Sequence, residues 1–219
     1  SFNIFDSLIQ SERVTLDSLK VFEDGKKVVY STNLESFDIK ENDTLVPTLN
    51  IVQSYDGSNS YRIFFIIKRL ICQNGLVGFS EKSIMSIKHT RSMPERVQFA
   101  EVALQRAFEY FEEMKKVCFE MVRTKVNDSY VEMILNQLIG DSKKEDGKDK
   151  TRTINIKNTI YGLFKNGKGN VGETKWDLLN SVTEYADWYR GSDNSREFSS
   201  TLGSGFSLKQ NAFRLIASA

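Results

Sequence analysis

The chain predicts an α+β protein: an antiparallel sheet of about four strands covered by a long helix, then a helical C-terminal half. Three observations carry this reading. Short β-prone runs, broken by Asp24-Gly25 and Asp56-Gly57, lead into the apolar run Tyr61 to Cys72. Apolar residues at three- and four-residue steps then extend from Val97 to Met121. Beyond about residue 150 the apolar spacing is helical throughout.

Taken in order, Phe2 to Gln10 has helical spacing and reads as a short helix. Leu19 to Phe22 and Lys27 to Tyr30 flank Asp24-Gly25, a hairpin signal. A third strand is expected within 45–55, where Leu45, Leu49 and Ile51 alternate with Thr48 and Asn50; Pro47 argues for an edge or a strand start. Residues 56–60 form a turn by composition and return the chain into the apolar strand. That strand carries Ile63, Phe65, Ile67 and Ile71 on one face and Phe64, Ile66, Leu70 and Cys72 on the other, as expected of a strand covered on both sides. Lys68 and Arg69 point to opposite faces.

Ser92 and Glu95 have capping-box spacing and start the long helix, which runs to about Thr124 with Met114, Cys118 and Met121 in its stripe. Ser129 and Glu132 start a shorter helix that Gly140 stops. Residues 143–150 read as a mobile loop, separating a sheet-plus-helix part (1–142) from a helical part (151–219) that packs on the same core. Within the latter, helices are expected near 153–165, from about Thr174 to Arg190 with Trp176, Leu179, Val182, Ala186 and Tyr189 buried, and near 206–217.

The 219 residues sum to a formal charge of +1, but the charges are segregated. Residues 61–96 hold seven Lys/Arg against two Asp/Glu, and 143–175 hold nine against four. Such blocks build separate positive faces, which attract phosphates. Cys72 and Cys118 read as buried reduced thiols, and no run is long and apolar enough for a membrane span, so a cytoplasmic protein is expected.

Gly167, Gly169 and Gly172 match the dinucleotide fingerprint, but no strand precedes them. As a phosphate loop, the stretch has Glu173 where a lysine must neutralise phosphate. A flexible helix–helix connection is the better reading. His89 is the single histidine, which excludes a multi-histidine metal site, and no nucleophile elbow pairs with it. No nucleophile, metal set or cofactor motif identifies an enzyme, and no cofactor is expected. The combination that stands out is basic and aromatic: Tyr61 for stacking, with Arg62, Arg69, Lys88, His89 and Arg91 for phosphate, and a second cluster holding Arg152 and Lys157. Cationic grooves with stacking aromatics suit single-stranded nucleic acid.

Several stretches carry a resemblance: Ser54-Tyr55-Asp56-Gly57-Ser58, Arg69 to Leu76, Ile87-Lys88-His89-Thr90, Thr151-Arg152, Thr174 to Tyr185 and Gly203 to Lys209. The most specific is Trp176-x-Leu178-Leu179-Asn180-x-Val182-Thr183-Glu184-Tyr185. On these the chain resembles the phage/plasmid-like proteins grouped as a family of unknown function, which implies a mobile-element protein. That family often has histidine where Tyr55 stands, which weakens an acid–base role for that turn. The order of sheet and long helix is also similar in architecture to Rad-type single-strand annealing proteins, which bind DNA in a basic groove and assemble into rings.

The expected function is that of a phage nucleic-acid-binding protein, favouring single-stranded DNA for annealing or recombination, in the cytoplasm of an infected bacterial host. A homo-oligomer is expected and a membrane is not. The alternative is a phage protein that binds and inhibits a host defence protein.

Overall fold

The computed structural model describes residues 15–57, 61–71, 74–76, 85–87, 109, 111–143 and 150–218. The expected helix at 2–10, the start of the long helix, Cys72, Lys88, His89, Arg91 and most of the 143–150 loop lie outside them.

The fold is α+β. Its antiparallel sheet comprises β1 (Thr15–Phe22), β2 (Lys27–Asn33), β3 (Phe37–Lys40), β4 (Asp43–Ser54), β5 (Tyr61–Arg69), β6 (Asn74–Leu76) and β7 (Met85–Ile87). The order is β1-β2-β4-β5-β6, with β3 beside the start of β4 and β7 beside β5. Helices follow: α1 (helical over 111–123), α2 (Asp128–Ile139), α3 (Thr151–Asn166), α4 (Lys175–Glu184), α5 (Asp193–Leu202) and α6 (Ser204–Ser218). A π-helical turn, Tyr185–Tyr189, continues α4.

The hairpin at Asp24-Gly25 forms as the turn chemistry demands, with Glu23, Asp24 and Gly25 all at positive φ. The strand holding Pro47 is not an edge: β4 lies between β2 and β5. Pro47 is tolerated because its carbonyl accepts from the Leu34 N–H at 2.8 Å. Its missing N–H therefore faces the gap where β4 changes partner from β2 to β3, and no bond to β5 is lost.

Register puts the odd residues of β4 and β5 on one face, Leu45 opposite Arg69 and Leu49 opposite Phe65, and the even ones on the other, Asn50 opposite Phe64. The odd face joins the larger core. There Ile39, Leu45 and Ile67 meet Met114, Cys118 and Met121 of α1, and the same cluster draws on Ile134, Ile160, Trp176, Leu179 and Phe213. Burial raises the Cys118 thiol to about 12, so it behaves as a small apolar side chain. The even face packs on the last two helices: Val29, Val52 and Phe64 contact Phe206. β5 is thus covered on both sides, but it ends at Arg69, leaving Leu70 and Ile71 exposed.

Helix ends follow local chemistry with one difference. In α2 the cap is Asn127, whose side chain accepts from the Tyr130 N–H at 2.9 Å, two residues before the expected Ser129. Thr174 and Asp177 form the capping box of α4. Among the described residues, no helix is long and apolar enough to cross a membrane.

Candidate nucleic-acid interface

Positive residues predicted from sequence scatter in the structure. Arg69, expected to touch phosphate, is 0% exposed. Its guanidinium donates to both Asp43 carboxylate oxygens at 2.7 and 2.6 Å, to Asn170 Oδ1 at 2.9 Å, and to the carbonyls of Lys168 and Gly169 at 3.2 and 2.9 Å. Trp176 completes the cluster, donating from Nε1 to Asp43 at 3.2 Å, with its ring 5.7 Å from the guanidinium. An arginine so enclosed has no donor left for a ligand, which corrects its assignment as a phosphate contact. The same contacts pin the Gly167–Gly172 connection, expected to be flexible. Gly169 has φ +72°, and a Cβ there would lie 2.8 Å from the Arg69 guanidinium, so only glycine fits.

Lys157 is also withdrawn from solvent. It is 8% exposed and donates to Asn136 and Ser142, so it ties α3 to the end of α2. Arg62 is half-buried on β5 opposite Ser86 of β7. Tyr61 begins β5, with its side chain outside the described residues. Among the predicted residues whose side chains are described, Arg152 alone lines an open cleft.

That cleft, about 840 Å³, lies between the end of α2, the start of α3 and the segment from the π turn into α6. Its cations are Arg152 and Arg190, and neither has a hydrogen-bond or ion-pair partner among the described residues. Hydroxyls of Thr153, Ser195, Ser199, Ser204 and Ser207 surround them, and no described lining residue is a carboxylate. Ser204 also opens α6, so the positive end of that helix dipole lies at the cleft, where the Gly205 and Ser207 N–H groups are already held by Ser199 Oγ and the Gly203 carbonyl, each at 3.1 Å. Cations, hydroxyls and a helix N-terminus, with no carboxylate among the described lining residues, are the groups that can hold an anion.

Beside Arg190 the π turn places two aromatic residues outward, Trp188 at 48% and Tyr189 at 54% exposure. The sequence reading put Tyr189 in the buried stripe of an unbroken α-helix. The π turn widens the coil, and the register that buries Val182 and Ala186 is lost by Tyr189. Arg190, Trp188 and Tyr189 were therefore missed; the signal was present in two adjacent large aromatics, which cannot both sit on one helical stripe.

The Trp176–Tyr185 block serves the interior. Asn180 donates to the Trp176 carbonyl at 2.7 Å and Thr183 to the Asn180 carbonyl at 2.9 Å. Burial pushes the Glu184 carboxyl above its ordinary value, against the backbone N–H and charge of Lys168 and the charge of Arg69. A raised folded value means the folded state holds this proton more tightly. Stability from Glu184 is therefore full below pH 4.5, the ordinary value, and is lost as pH rises through the folded value. Urea unfolding across pH should show the difference between Glu184→Gln and the parent shifting in favour of the variant as pH climbs. A difference flat with pH would remove this assignment.

No curated protein and no solved structure matches the chain. The family model described as Domain of unknown function (DUF932) matches residues 1–204. Nearly the whole chain is thereby accounted for, in agreement with the expected resemblance to a family of unknown function, and the protein belongs to the DUF932 family.

Proposed function

We propose that the protein is a nucleic-acid-binding protein of a phage or mobile element, taking single-stranded DNA across the cleft of Arg152 and Arg190. The observation that supports this is the pair of guanidinium groups with no hydrogen-bond or ion-pair partner among the described residues, set among hydroxyls with no described lining carboxylate. Exposed Trp188 and Tyr189 directly precede Arg190 in the chain, Trp188 lining the neighbouring cavity. Arginine clamps phosphate bidentately, and aromatic faces stack on bases whatever their sequence. Annealing of complementary strands is the activity such a surface serves, because it holds the backbone and leaves base edges free to pair.

Binding of a fluorescent oligo-dT strand, followed by anisotropy over a salt series, tests the reading. Affinity should fall steeply with salt, with a slope of about 0.7 per phosphate neutralised. The double variant Arg152→Ala, Arg190→Ala should reduce that slope by roughly 1.4. Affinity independent of salt, or a slope unchanged in the variant, would sink it. The exposed aromatic pair also favours a second reading, a host-protein partner, since Trp and Tyr are enriched at protein interfaces. That reading predicts a salt-tolerant complex with a host protein and no retention of DNA.

A further inference from the structure

A second cavity, about 350 Å³, lies between the even face of the sheet and α5–α6, on the other side of the π turn from the cleft. It is at the small end of the range of about 300–1,000 Å³ that takes small molecules, with room for one nucleotide and not for a stretch of strand. We propose that it is a binding site for a single nucleobase with its 5′-phosphate. This rests on the nucleic-acid reading for its strand-bound form, and it is supported by the chemistry of the walls.

The aromatic wall is Phe64 of β5 against Phe206 of α6, with ring centroids 5.2 Å apart in an edge-to-face pair. Such a corner accepts a flat ring against one face and its edge against the other. Opposite polar groups are available from neighbouring strands. Ser31 of β2 donates to Asn50 Oδ1 at 2.7 Å, while the Asn50 amide N–H reaches only the Thr48 carbonyl at 3.5 Å. The pair therefore offers a donor, Asn50 Nδ2, beside an acceptor, Ser31 Oγ. Adjacent donor and acceptor are what the pairing edge of a base presents in complement.

A second polar group comes from the helices. Lys209, 3% exposed, donates to Asp187 at 2.7 Å and to the Ser200 hydroxyl at 2.9 Å. An ammonium has three N–H donors, and the third has no acceptor among the described residues. A buried lysine held in place with a donor to spare is suited to a ring carbonyl or a sugar oxygen. At the rim, Lys20 and Lys68 are partly exposed and paired with Glu197 and Asp17. A phosphate competes for both ammonium groups, because it offers more acceptor oxygens than a carboxylate.

The test uses the full chain, with deoxythymidine 5′-monophosphate and deoxyribose 5-phosphate as calorimetric probes. Oligo-dT of about 16 nucleotides and an abasic strand of equal length are compared in parallel. The mononucleotide should bind at least about tenfold tighter than the sugar phosphate, as expected for one or more added hydrogen bonds. Ile66→Trp, which fills the cavity from β5, and Asn50→Leu should each remove that preference, with circular dichroism showing that both remain folded. Equal binding of the two small probes overturns the proposal, as does a folded Ile66→Trp that binds the mononucleotide as the parent does. Oligo-dT binding tighter than the abasic strand by a margin that Ile66→Trp removes places a base of the strand in the cavity. A margin that the variant leaves intact comes from stacking elsewhere and, like equal binding of the two strands, assigns the cavity to free nucleotide. If the mononucleotide binds but neither strand does, the cleft reading fails and the cavity stands. If the strands bind with a salt-dependent affinity and the mononucleotide does not, the reverse holds.

Discussion

Arg69→Ala is expected to lower the unfolding free energy by about 3–5 kcal/mol, the usual cost of breaking a buried ion pair from one side. Asp43 is 1% exposed and would lose its bidentate partner, the Lys168 carbonyl would lose the Arg69 donor, and the Gly169 carbonyl would keep only Lys40, at 3.1 Å. Arg69→Lys should recover little, because a point charge cannot serve a carboxylate, an amide oxygen and two carbonyls from one planar fork. Asp43→Ala strands the guanidinium in the same way, so the double variant should cost less than the sum of the singles. Urea unfolding followed by circular dichroism measures all four. An Arg69→Ala midpoint equal to that of the parent would show that the cluster does not hold the sheet to the helical half.

Trp176→Ala is expected to cost a further about 3–5 kcal/mol, the range for truncating a large aromatic in a core. Trp176 is fully buried among Leu45, Ile67 and Leu179. Trp176→Phe separates the two contributions. It keeps most of the ring volume and loses the Nε1 bond to Asp43, so a loss of about 1 kcal/mol is expected. Combined with Arg69→Ala, the effects should not add, because the ring and the guanidinium are in contact. Equal losses for the Phe and Ala variants would mean that the polar contact dominates and the packing argument is wrong.

Sequence spacing placed Trp176 in a buried stripe, as the structure has it, but misread Arg69. Arg69 looked like a surface cation because it follows an apolar run and neighbours Lys68. Alternation did place the two on opposite faces, and the structure agrees: Lys68 pairs with Asp17 near the surface while Arg69 turns inward. Alternation does not say what covers a face. The groups that enclose Arg69 lie 26 and about 100 residues away in the chain. Helix α5 was missed for a related reason. Its serines and threonine are poor helix formers, and its support is tertiary: Phe198 packs edge-on to Phe22 at 5.6 Å and Lys20 pairs with Glu197. The short β3 likewise depends on its pairing with the start of β4.

Local pattern by itself determined the α+β class, the Asp24-Gly25 hairpin, the two-sided burial of β5, the α1 stripe of Met114, Cys118 and Met121, and the start of α4 at Thr174. These are short-range matters of turn chemistry, capping and apolar period, and each is decided within a few residues. Tertiary structure decided which cations face water. It buried Arg69 and Lys157, left Arg152 open, and brought Arg190 beside it from 38 positions along the chain. It also broke the helical period at Tyr185–Tyr189, which turned Trp188 and Tyr189 outward. Charge and aromaticity are properties of the sequence, but exposure is a property of what packs against them.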